Sequence, residues 1–292
     1  MMKKWILGAI VAMVATSCLD LDPLLYNPYT DIDEYLLDDY EGRQEIAVGE
    51  EYAIADSLLE IFTLNSDGND IYALYVGDQD RISTDTVILY LHGNTGHLDL
   101  YWTRIKLLAN SGHKNRFGIM AIDYRGFGLS EGAPTEEGLY EDADAAMMWL
   151  KDKGLTNDRL IVYGYSMGTA PATELTANPR SMNPSKLMLE APFASAEVMV
   201  QDGSGLSLPS SLYTNLKIDN AEEIKKVEVP FFWIHGTDDS FLAMDTHGEV
   251  VFKNYRGTYS EAHRIEGGEH SDVPEVMGNQ EYLDVVLPFL VK

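Results

Sequence analysis

Residues 160–168 read LIVYGYSMG: an apolar run typical of a β-strand ends at Gly164, and Ser166 follows between Gly164 and Gly168. A stretch compatible with a helix, residues 169–177, comes next. A Gly-x-Ser-x-Gly sequence between a strand and a helix is typical of a sharp turn that strains the serine backbone and exposes its hydroxyl at the edge of a sheet. Glycine is expected on both sides because a Cβ there would collide with the neighbouring strand or helix. Ser166 is therefore the candidate nucleophile.

Outward from this turn, predicted strands alternate with predicted helices. Short apolar runs predict strands at 58–64, 71–76, 86–91, 118–122, 160–163, 186–190, 231–234 and 263–265. Helical patterns occur at 98–110, 135–153, 167–177, 246–254 and 281–291. The first two strands flank a turn at 65–69 and are expected to form an antiparallel pair. The later alternation predicts a mostly parallel sheet that is covered by helices on both faces.

One region, residues 193–228, breaks the alternation and is rich in serine and glycine. We interpret it as a short cap above the sheet. The alternative is an irregular connection with no role in substrate binding.

The chain has 292 residues, of which 45% are hydrophobic and 23% are charged, so it has the composition of a globular protein and enough residues for a sizeable core. Acidic residues number 47 against 21 basic ones, which gives a formal net charge of -26. Such a surface repels nucleic acid and anionic lipid headgroups, so we expect no nucleic-acid partner.

The first 18 residues are interpreted as a signal peptide. Two lysines precede an apolar run at 5–15 that is too short to anchor stably across a bilayer, and small residues at 15–17 precede Cys18. This pattern resembles a bacterial lipoprotein signal with its lipobox at 15–18. The resemblance implies that Cys18 becomes the mature N-terminus, carries acyl chains and anchors the protein to a membrane of the cell envelope, facing the periplasm or the exterior. The alternative is an ordinary secretory signal.

Because Cys18 is the only cysteine, no intramolecular disulfide and no cysteine-based zinc site can form.

Residues 19–51 are predicted to be an acidic tether. They contain eleven acidic side chains and one basic side chain, Arg43, which is typical of a solvated segment. Five larger apolar side chains give parts of it a means of docking on the body: Leu24, Leu25, Tyr26, Leu36 and Leu37. The main folded domain is expected at 52–292, and a chain that starts near Val48 is expected to be soluble and to keep any activity of this domain.

Two loops hold the groups that a serine nucleophile needs. A hydroxyl requires a base, the base requires an orienting acid, and in open α/β sheets such groups follow the carboxyl ends of strands. The loop after the strand at 231–234 holds Asp238 and Asp239, and the loop after the last strand holds His270. His270 is the predicted base. Position alone leaves the acid open between the two aspartates.

The other six histidines are given non-catalytic roles. His92 and His235 each precede a glycine at a strand end, where a hydrogen-bonded structural role is expected. The other four occupy positions that look surface-facing: His97, His113, His247 and His263.

An oxyanion hole of backbone N–H groups is also predicted. Met167 follows the nucleophile and would supply one donor, and the loop at 91–95 after an early strand would supply the other. Each such donor opposes the charge that develops on the carbonyl oxygen and is worth about 10²–10³ in rate.

Five ordered blocks resemble the α/β-hydrolase superfamily of serine hydrolases, from about residue 58 to the C-terminus. They are residues 92–94, 123–130, 164–169, 235–239 and 268–270. The likeness is greatest to small-capped esterases and thioesterases, a branch that includes membrane-attached protein depalmitoylases. The resemblance implies an α/β-hydrolase fold, a Ser166–His270–Asp239 triad, a backbone donor at Asn94, and no cofactor or metal. It also implies an acyl ester or thioester as substrate and an acyl-enzyme intermediate.

Two other functions are compatible with the sequence. A serine aminopeptidase or amidase would use the same triad, with Glu190, Glu197 or Asp202 as acids that grip a peptide N-terminus. A catalytically silent envelope binding protein on the same scaffold predicts loss of a triad member, and none is lost. The acyl length, the leaving group and the oligomeric state are not determined by the sequence.

Overall fold

The computed structural model of the protein describes residues 26–112, 117–204 and 214–292. The predicted signal peptide, Cys18 and His113 lie outside these residues. The strands found in the described residues are β1 (Asn27–Pro28), β2 (Leu59–Ser66), β3 (Asn69–Val76), β4 (Val87–Leu91), β5 (Thr95–Gly96), β6 (Gly118–Ile122), β7 (Leu160–Tyr165), β8 (Lys186–Glu190), β9 (Phe231–Gly236) and β10 (Ser260–Ile265).

The α-helices of the same ranges are α1 (Leu98–Ala109), α2 (Glu136–Asp152), α3 (Thr169–Ala177), α4 (Ala196–Ser204), α5 (Asn220–Glu223), α6 (Gly248–Asn254), α7 (Val273–Met277) and α8 (Asn279–Val291). Every predicted strand and helix is present with small shifts of its ends. The largest shift in a strand is at β10, which begins at Ser260 rather than at residue 263. The short helices α4, α5 and α7 were not predicted.

In the described chain, eight strands form one sheet in the order β10-β9-β8-β7-β4-β6-β3-β2. The pairs from β6 to β10 in this order are parallel, whereas β3 runs antiparallel to both β2 and β6. The predicted antiparallel pair and the mostly parallel sheet are confirmed. The carboxyl ends of the parallel strands therefore meet at one edge, where the predicted site residues follow them.

Side chains of the central strands alternate between two hydrophobic layers. In β4, Val87, Leu89 and Leu91 pack into a core with α2, α3 and α6, while Ile88 and Tyr90 face a second core with α1 and α8. All residues of β4 are buried, which explains why the strand appears in the sequence as a continuous apolar run. Helices cover both faces of the sheet, as predicted.

Residues 26–51, here called the N-terminal strap, are packed on the body and are not a solvated tether. β1 of the strap pairs in parallel with β5. The Asp99 carboxylate of α1 accepts hydrogen bonds from the backbone N–H groups of Leu36 and Leu37. Leu37 and Ile46 are buried. The acidic composition misled the prediction because the partners of the strap lie far away in the sequence.

The described ends of the region at 193–228 are joined to each other and to the body. Ser195 and Asp219 form an antiparallel bridge, and the Asn220 side chain donates to the carbonyl of Phe193. Helices α4 and α5 lie in this region. Whether its remaining residues cap the sheet lies outside the described residues.

None of the helices in the described ranges has both the length and the apolar character needed to cross a bilayer.

Candidate active site

Ser166 lies on a tight turn that directly follows β7. Its φ is 51°, a left-handed conformation that is strained for a residue other than glycine. A Cβ on Gly164 would lie 2.5 Å from the Gly168 carbonyl oxygen, and a Cβ on Gly168 would lie 2.0 Å from the Leu91 carbonyl oxygen. Only glycine fits at these two positions, so the motif is required by the close packing of β7, β4 and α3.

Ser166, His270 and Asp239 form one hydrogen-bonded chain. Ser166 Oγ lies 2.8 Å from His270 Nε2, and His270 Nδ1 lies 2.8 Å from Asp239 Oδ2. A carboxylate accepts hydrogen bonds, so Nδ1 carries the proton and Nε2 is left to accept from the serine hydroxyl. The structure thus places the three predicted residues in the order that nucleophilic catalysis requires.

Of the two candidate aspartates, only Asp239 reaches the imidazole. Asp239 is buried, and its Oδ1 accepts from the backbone N–H groups of Phe241 and Leu242 at 3.0 and 2.7 Å. Asp238 is exposed, and its carboxylate accepts from the hydroxyl of the adjacent Thr237. A role for Asp238 as the acid would need a different loop conformation.

Asp239 also accepts a hydrogen bond from a second imidazole, that of His235, and this contact was not predicted from the sequence. His235 Nε2 lies 3.0 Å from Asp239 Oδ2 and 3.0 Å from the Leu242 carbonyl oxygen. Burial alone would raise the pKa of Asp239, but hydrogen bonds from His235 and His270 outweigh it and hold the pKa well below its usual range. His235 has the hydrogen-bonded role predicted for it, and its partner is the candidate acid itself. The spacing of four residues between His235 and Asp239 was the available signal.

His92 also has its predicted hydrogen-bonded role. Its Nδ1 lies 2.7 Å from the carbonyl oxygen of Gly93, and its Nε2 lies 3.1 Å from Asp123 Oδ1. The ring is fully buried and stacks on Tyr101 with centroids 4.7 Å apart. These contacts fix the loop that follows β4.

The prediction that His97 and His247 face the surface is wrong, because both are fully buried. The ring of His97 packs against tyrosines of the strap, with the Tyr40 ring centroid 5.4 Å away. His247 Nδ1 accepts from the Ala194 backbone N–H at 3.1 Å. Local sequence patterns could not reveal either burial, since both covering segments are remote in sequence. His263 is partly buried, stacked on Phe232.

Ser166 and His270 open into a pocket of about 520 Å³. The strap supplies a large part of its wall, and the rest comes from the loop after β4, α1, Tyr165 and the loops holding Phe241 and His270. The pocket-lining residues from the strap are Asn27, Pro28, Tyr29, Tyr40, Arg43 and Glu45. Among the described residues, none from the region at 193–228 lines it. Access to Ser166 from this pocket is therefore shaped by the segment that the sequence predicted to be a tether.

The two predicted oxyanion donors flank the nucleophile. Asn94 lies in the pocket wall, and its side-chain oxygen accepts from the Asn27 backbone N–H at 2.8 Å. Met167 is the second residue of the turn Ser166–Gly168 and is buried. The Cβ clash at Gly168 shows that this turn lies directly against the loop holding Asn94. The donor roles of these two N–H groups stay a prediction.

A wholly buried arginine, Arg104 of α1, makes hydrogen bonds to three segments around the site. Its Nε donates to Glu45 of the strap at 2.8 Å, and its Nη1 donates to Glu190 at the end of β8 at 2.7 Å. Its Nη2 donates to the carbonyl oxygen of Ser271, next to the candidate base, at 3.1 Å. The guanidinium also lies 4.5 Å from the Tyr165 ring centroid. This network ties the strap, the sheet and the His270 loop together.

Arg104 was not predicted to belong to the site, although a signal existed. Tyr101 and Leu108 stand three residues before it and four residues after it, so Arg104 lies on the apolar face of α1. A charged side chain on such a face must pair with buried groups of opposite charge.

Comparison with known proteins identifies this architecture as the α/β-hydrolase fold. A family model described as alpha/beta hydrolase fold matches residues 86–202. Human alpha/beta hydrolase domain-containing protein 17B is 29% identical over 243 residues, which cover 80% of this chain and 76% of that protein. Human protein ABHD12B is 30% identical over 196 residues, covering 61% of this chain and 52% of that protein.

Solved structures agree in fold at low sequence identity. The Pyrococcus furiosus esterase Pf2001 superposes with a TM-score of 0.69 at 18% identity, covering 91% of this chain and 97% of that one. The esterase EaEST from Exiguobacterium antarcticum gives a TM-score of 0.59 at 17% identity, covering 79% and 99%.

Proposed function

We propose that this chain, which has the α/β-hydrolase fold, is a serine hydrolase that cleaves carboxylic esters or thioesters through an acyl-enzyme. The observation that carries the proposal is the hydrogen-bonded chain from Ser166 through His270 to Asp239, which opens into a pocket.

In the first step, Ser166 Oγ attacks the acyl carbon while its proton passes to His270 Nε2. Asp239 is ionised, and it holds Nδ1–H of the imidazole and stabilises the imidazolium that forms. The charge on the carbonyl oxygen would be met by the backbone N–H groups of Met167 and Asn94. The imidazolium then gives its proton to the departing alcohol or thiol as the tetrahedral intermediate collapses.

In the second step, water replaces the leaving group. His270 takes a proton from the water, which attacks the acyl carbon, and the proton then passes to Ser166 Oγ as the acid is released. The strained turn assists both steps because it exposes Ser166 Oγ at the edge of the sheet, where the acyl carbon of a substrate can approach it.

An ester or thioester agrees with both the pocket and the comparisons. Five of the eighteen residues in the wall are tyrosine or phenylalanine, and the surface exposed to the pocket is mostly apolar, which suits an acyl group or an apolar leaving group. Two of the solved proteins with the same fold are esterases.

The three acids that could have bound a peptide amine in the amidase alternative have other partners in the structure. Glu190, one of the three acids that were available to grip a peptide amine, is buried and bound by Arg104. Asp202 lies 3.2 Å from His247 Nε2, and Glu197 accepts from Gln201. Among the described residues, none of the three lines the pocket.

We further propose that Cys18 carries the lipid anchor predicted from the signal sequence.

The decisive experiment is an assay of 4-nitrophenyl butyrate with Ser166→Ala, and with Ser260→Ala as a matched control at the exposed start of β10. Ser166→Ala should lower kcat by at least about 10³-fold and abolish labelling by a fluorophosphonate, without a change in the folded circular dichroism spectrum. Near wild-type turnover by Ser166→Ala would refute the serine mechanism. Faster cleavage of amino-acid anilides than of esters would favour the amidase.

A further inference from the structure

Arg43 is a cation that lines the pocket and has no partner among the residues that the structure describes. It lines the same pocket as Ser166, is exposed, and makes no hydrogen bond or ion pair with any residue that the structure describes. Each of the other seven described arginines has a polar partner: Arg81, Arg104, Arg125, Arg159, Arg180, Arg256 and Arg264. In a chain with 47 acidic residues and 21 basic ones, an arginine left unpaired in a pocket needs an explanation.

The acid of the strap that lines the pocket, Glu45, does not neutralise Arg43. Glu45 is the only carboxylate among the described residues that line the pocket, and Arg104 Nε binds it at 2.8 Å. Burial raises the pKa of Glu45, and its carboxylate is paired with the Arg104 guanidinium rather than with Arg43. The guanidinium of Arg43 is therefore free to bind another anion.

The backbone beside Arg43 is held in place. The Glu45 N–H donates to the Leu100 carbonyl oxygen of α1 at 3.1 Å, two residues after Arg43. The remainder of the pocket wall offers aromatic surface from Tyr40 and Phe241. An occupant that fits has an apolar body and one anionic end, because a planar guanidinium binds carboxylates and phosphates in bidentate fashion.

We propose that Arg43 binds an anionic group of the substrate, a carboxylate or a phosphate, in addition to the scissile acyl bond. The natural substrates would then be negatively charged esters or thioesters. The acidic surface does not cancel this attraction, since charges farther away than about 8 Å are largely screened at physiological salt. This inference rests on the proposed ester hydrolysis.

The test uses three esters with one leaving group and equal or nearly equal acyl lengths. 4-Nitrophenyl hexanoate is neutral, mono-4-nitrophenyl adipate carries a carboxylate, and 4-nitrophenyl 5-phosphonopentanoate carries a phosphonate. The variants are Arg43→Gln, Arg43→Lys and the control Arg256→Gln, whose site precedes β10 and so lies at the sheet edge opposite the pocket.

For wild type we expect a higher kcat/KM on at least one anionic ester than on hexanoate. The anionic ester with the higher kcat/KM shows whether the natural substrate carries a carboxylate or a phosphate. Arg43→Gln should reduce the ratio of anionic to neutral kcat/KM by about tenfold, mainly through KM, because it removes a charged hydrogen bond. Arg43→Lys should fall in between, and Arg256→Gln should keep the wild-type ratio. A wild-type preference for hexanoate, or an equal loss on all three esters with Arg43→Gln, would overturn the inference.

Calorimetric titration of adipate and of 5-phosphonopentanoate separates this inference from the proposed function. Binding that Arg43→Gln weakens by about tenfold, in a protein that hydrolyses none of the esters, would support the anion site and refute only the hydrolase proposal. Hydrolysis of hexanoate together with anion binding that does not depend on Arg43 would refute the anion site alone.

Discussion

Asp239 is the residue on which the candidate site depends most. It accepts hydrogen bonds from two imidazoles and two backbone N–H groups, so its position and its charge are both fixed. We expect Asp239→Asn to lower kcat by about 10⁴, as the corresponding change does in a serine protease, because an amide favours the wrong imidazole tautomer. Asp238→Asn is the matched control and should change kcat by less than about threefold, since that side chain is exposed. Equal losses would show that the loop, not the carboxylate, is what matters.

The lowered pKa of Asp239 also predicts how stability depends on pH. A carboxyl group whose pKa is lower in the folded state stabilises the fold at pH values above its unfolded pKa, about 4. This contribution is lost as the pH falls through the lower pKa of the folded state. The difference in Tm between wild type and Asp239→Asn should therefore be largest above about pH 5 and shrink below about pH 4. Thermal melts from pH 3 to pH 7 measure it, and a difference that grows on acidification would contradict the assignment.

At the level of elements, the strap is the segment that departs most from its prediction. A chain that starts at Val48 lacks Leu37 and Ile46, whose burial is worth about 1.5–3 kcal/mol each, and lacks Glu45, the partner of buried Arg104. We expect this chain to have a lower Tm than one that starts at Tyr26, and to lose most ester hydrolysis because a pocket wall is missing.

Glu45→Gln provides a milder variant of the same test in the full chain. The amide oxygen still reaches Arg104 but lacks the charge, so we expect folding with reduced Tm and a pocket wall that is retained. If the chain starting at Val48 kept wild-type kcat/KM on water-soluble esters, the strap would have no part in the site.

The central elements were predictable from sequence because their signals are local. The strands β4, β6 and β7 are buried on both faces and so appear as uninterrupted apolar runs. Ser166 and His270 could be assigned because both follow carboxyl ends of parallel strands, which meet at one edge. The strap could not be predicted, because its acidic residues pair with Arg104 and Lys106 of α1, which lie 59 and 68 residues away from their partners. Pairing across such a distance leaves no periodic pattern in the sequence.

At the scale of the whole molecule, the strap shortens the distance between the predicted anchor and the pocket. Tyr26 is eight residues after Cys18, and Tyr29 already lines the pocket. Eight residues span at most about 28 Å, so an acylated Cys18 would keep the pocket close to the bilayer surface rather than hold the body away from it. The net charge of -26 opposes direct adsorption to anionic headgroups, so the predicted anchor would be the main attachment.

This geometry predicts that the anchor decides which substrates are reached, while the triad decides the chemistry. Two or more acyl chains hold a protein stably on a membrane, whereas one chain does so only marginally. Cys18→Ser should therefore move the protein from the membrane fraction to the soluble or secreted fraction, with unchanged kcat/KM on 4-nitrophenyl butyrate. Hydrolysis of a long-chain thioester embedded in vesicles should fall by about tenfold or more, because the anchor no longer raises the local concentration. Ser17→Ala is the neighbouring control and should stay in the membrane fraction with full activity on both substrates. If Cys18→Ser remained in the membrane fraction, the apolar run at 5–15 would be retained as the attachment and the lipid anchor refuted. If it were released but still cleaved the embedded thioester at the wild-type rate, proximity to the bilayer would contribute nothing to substrate access.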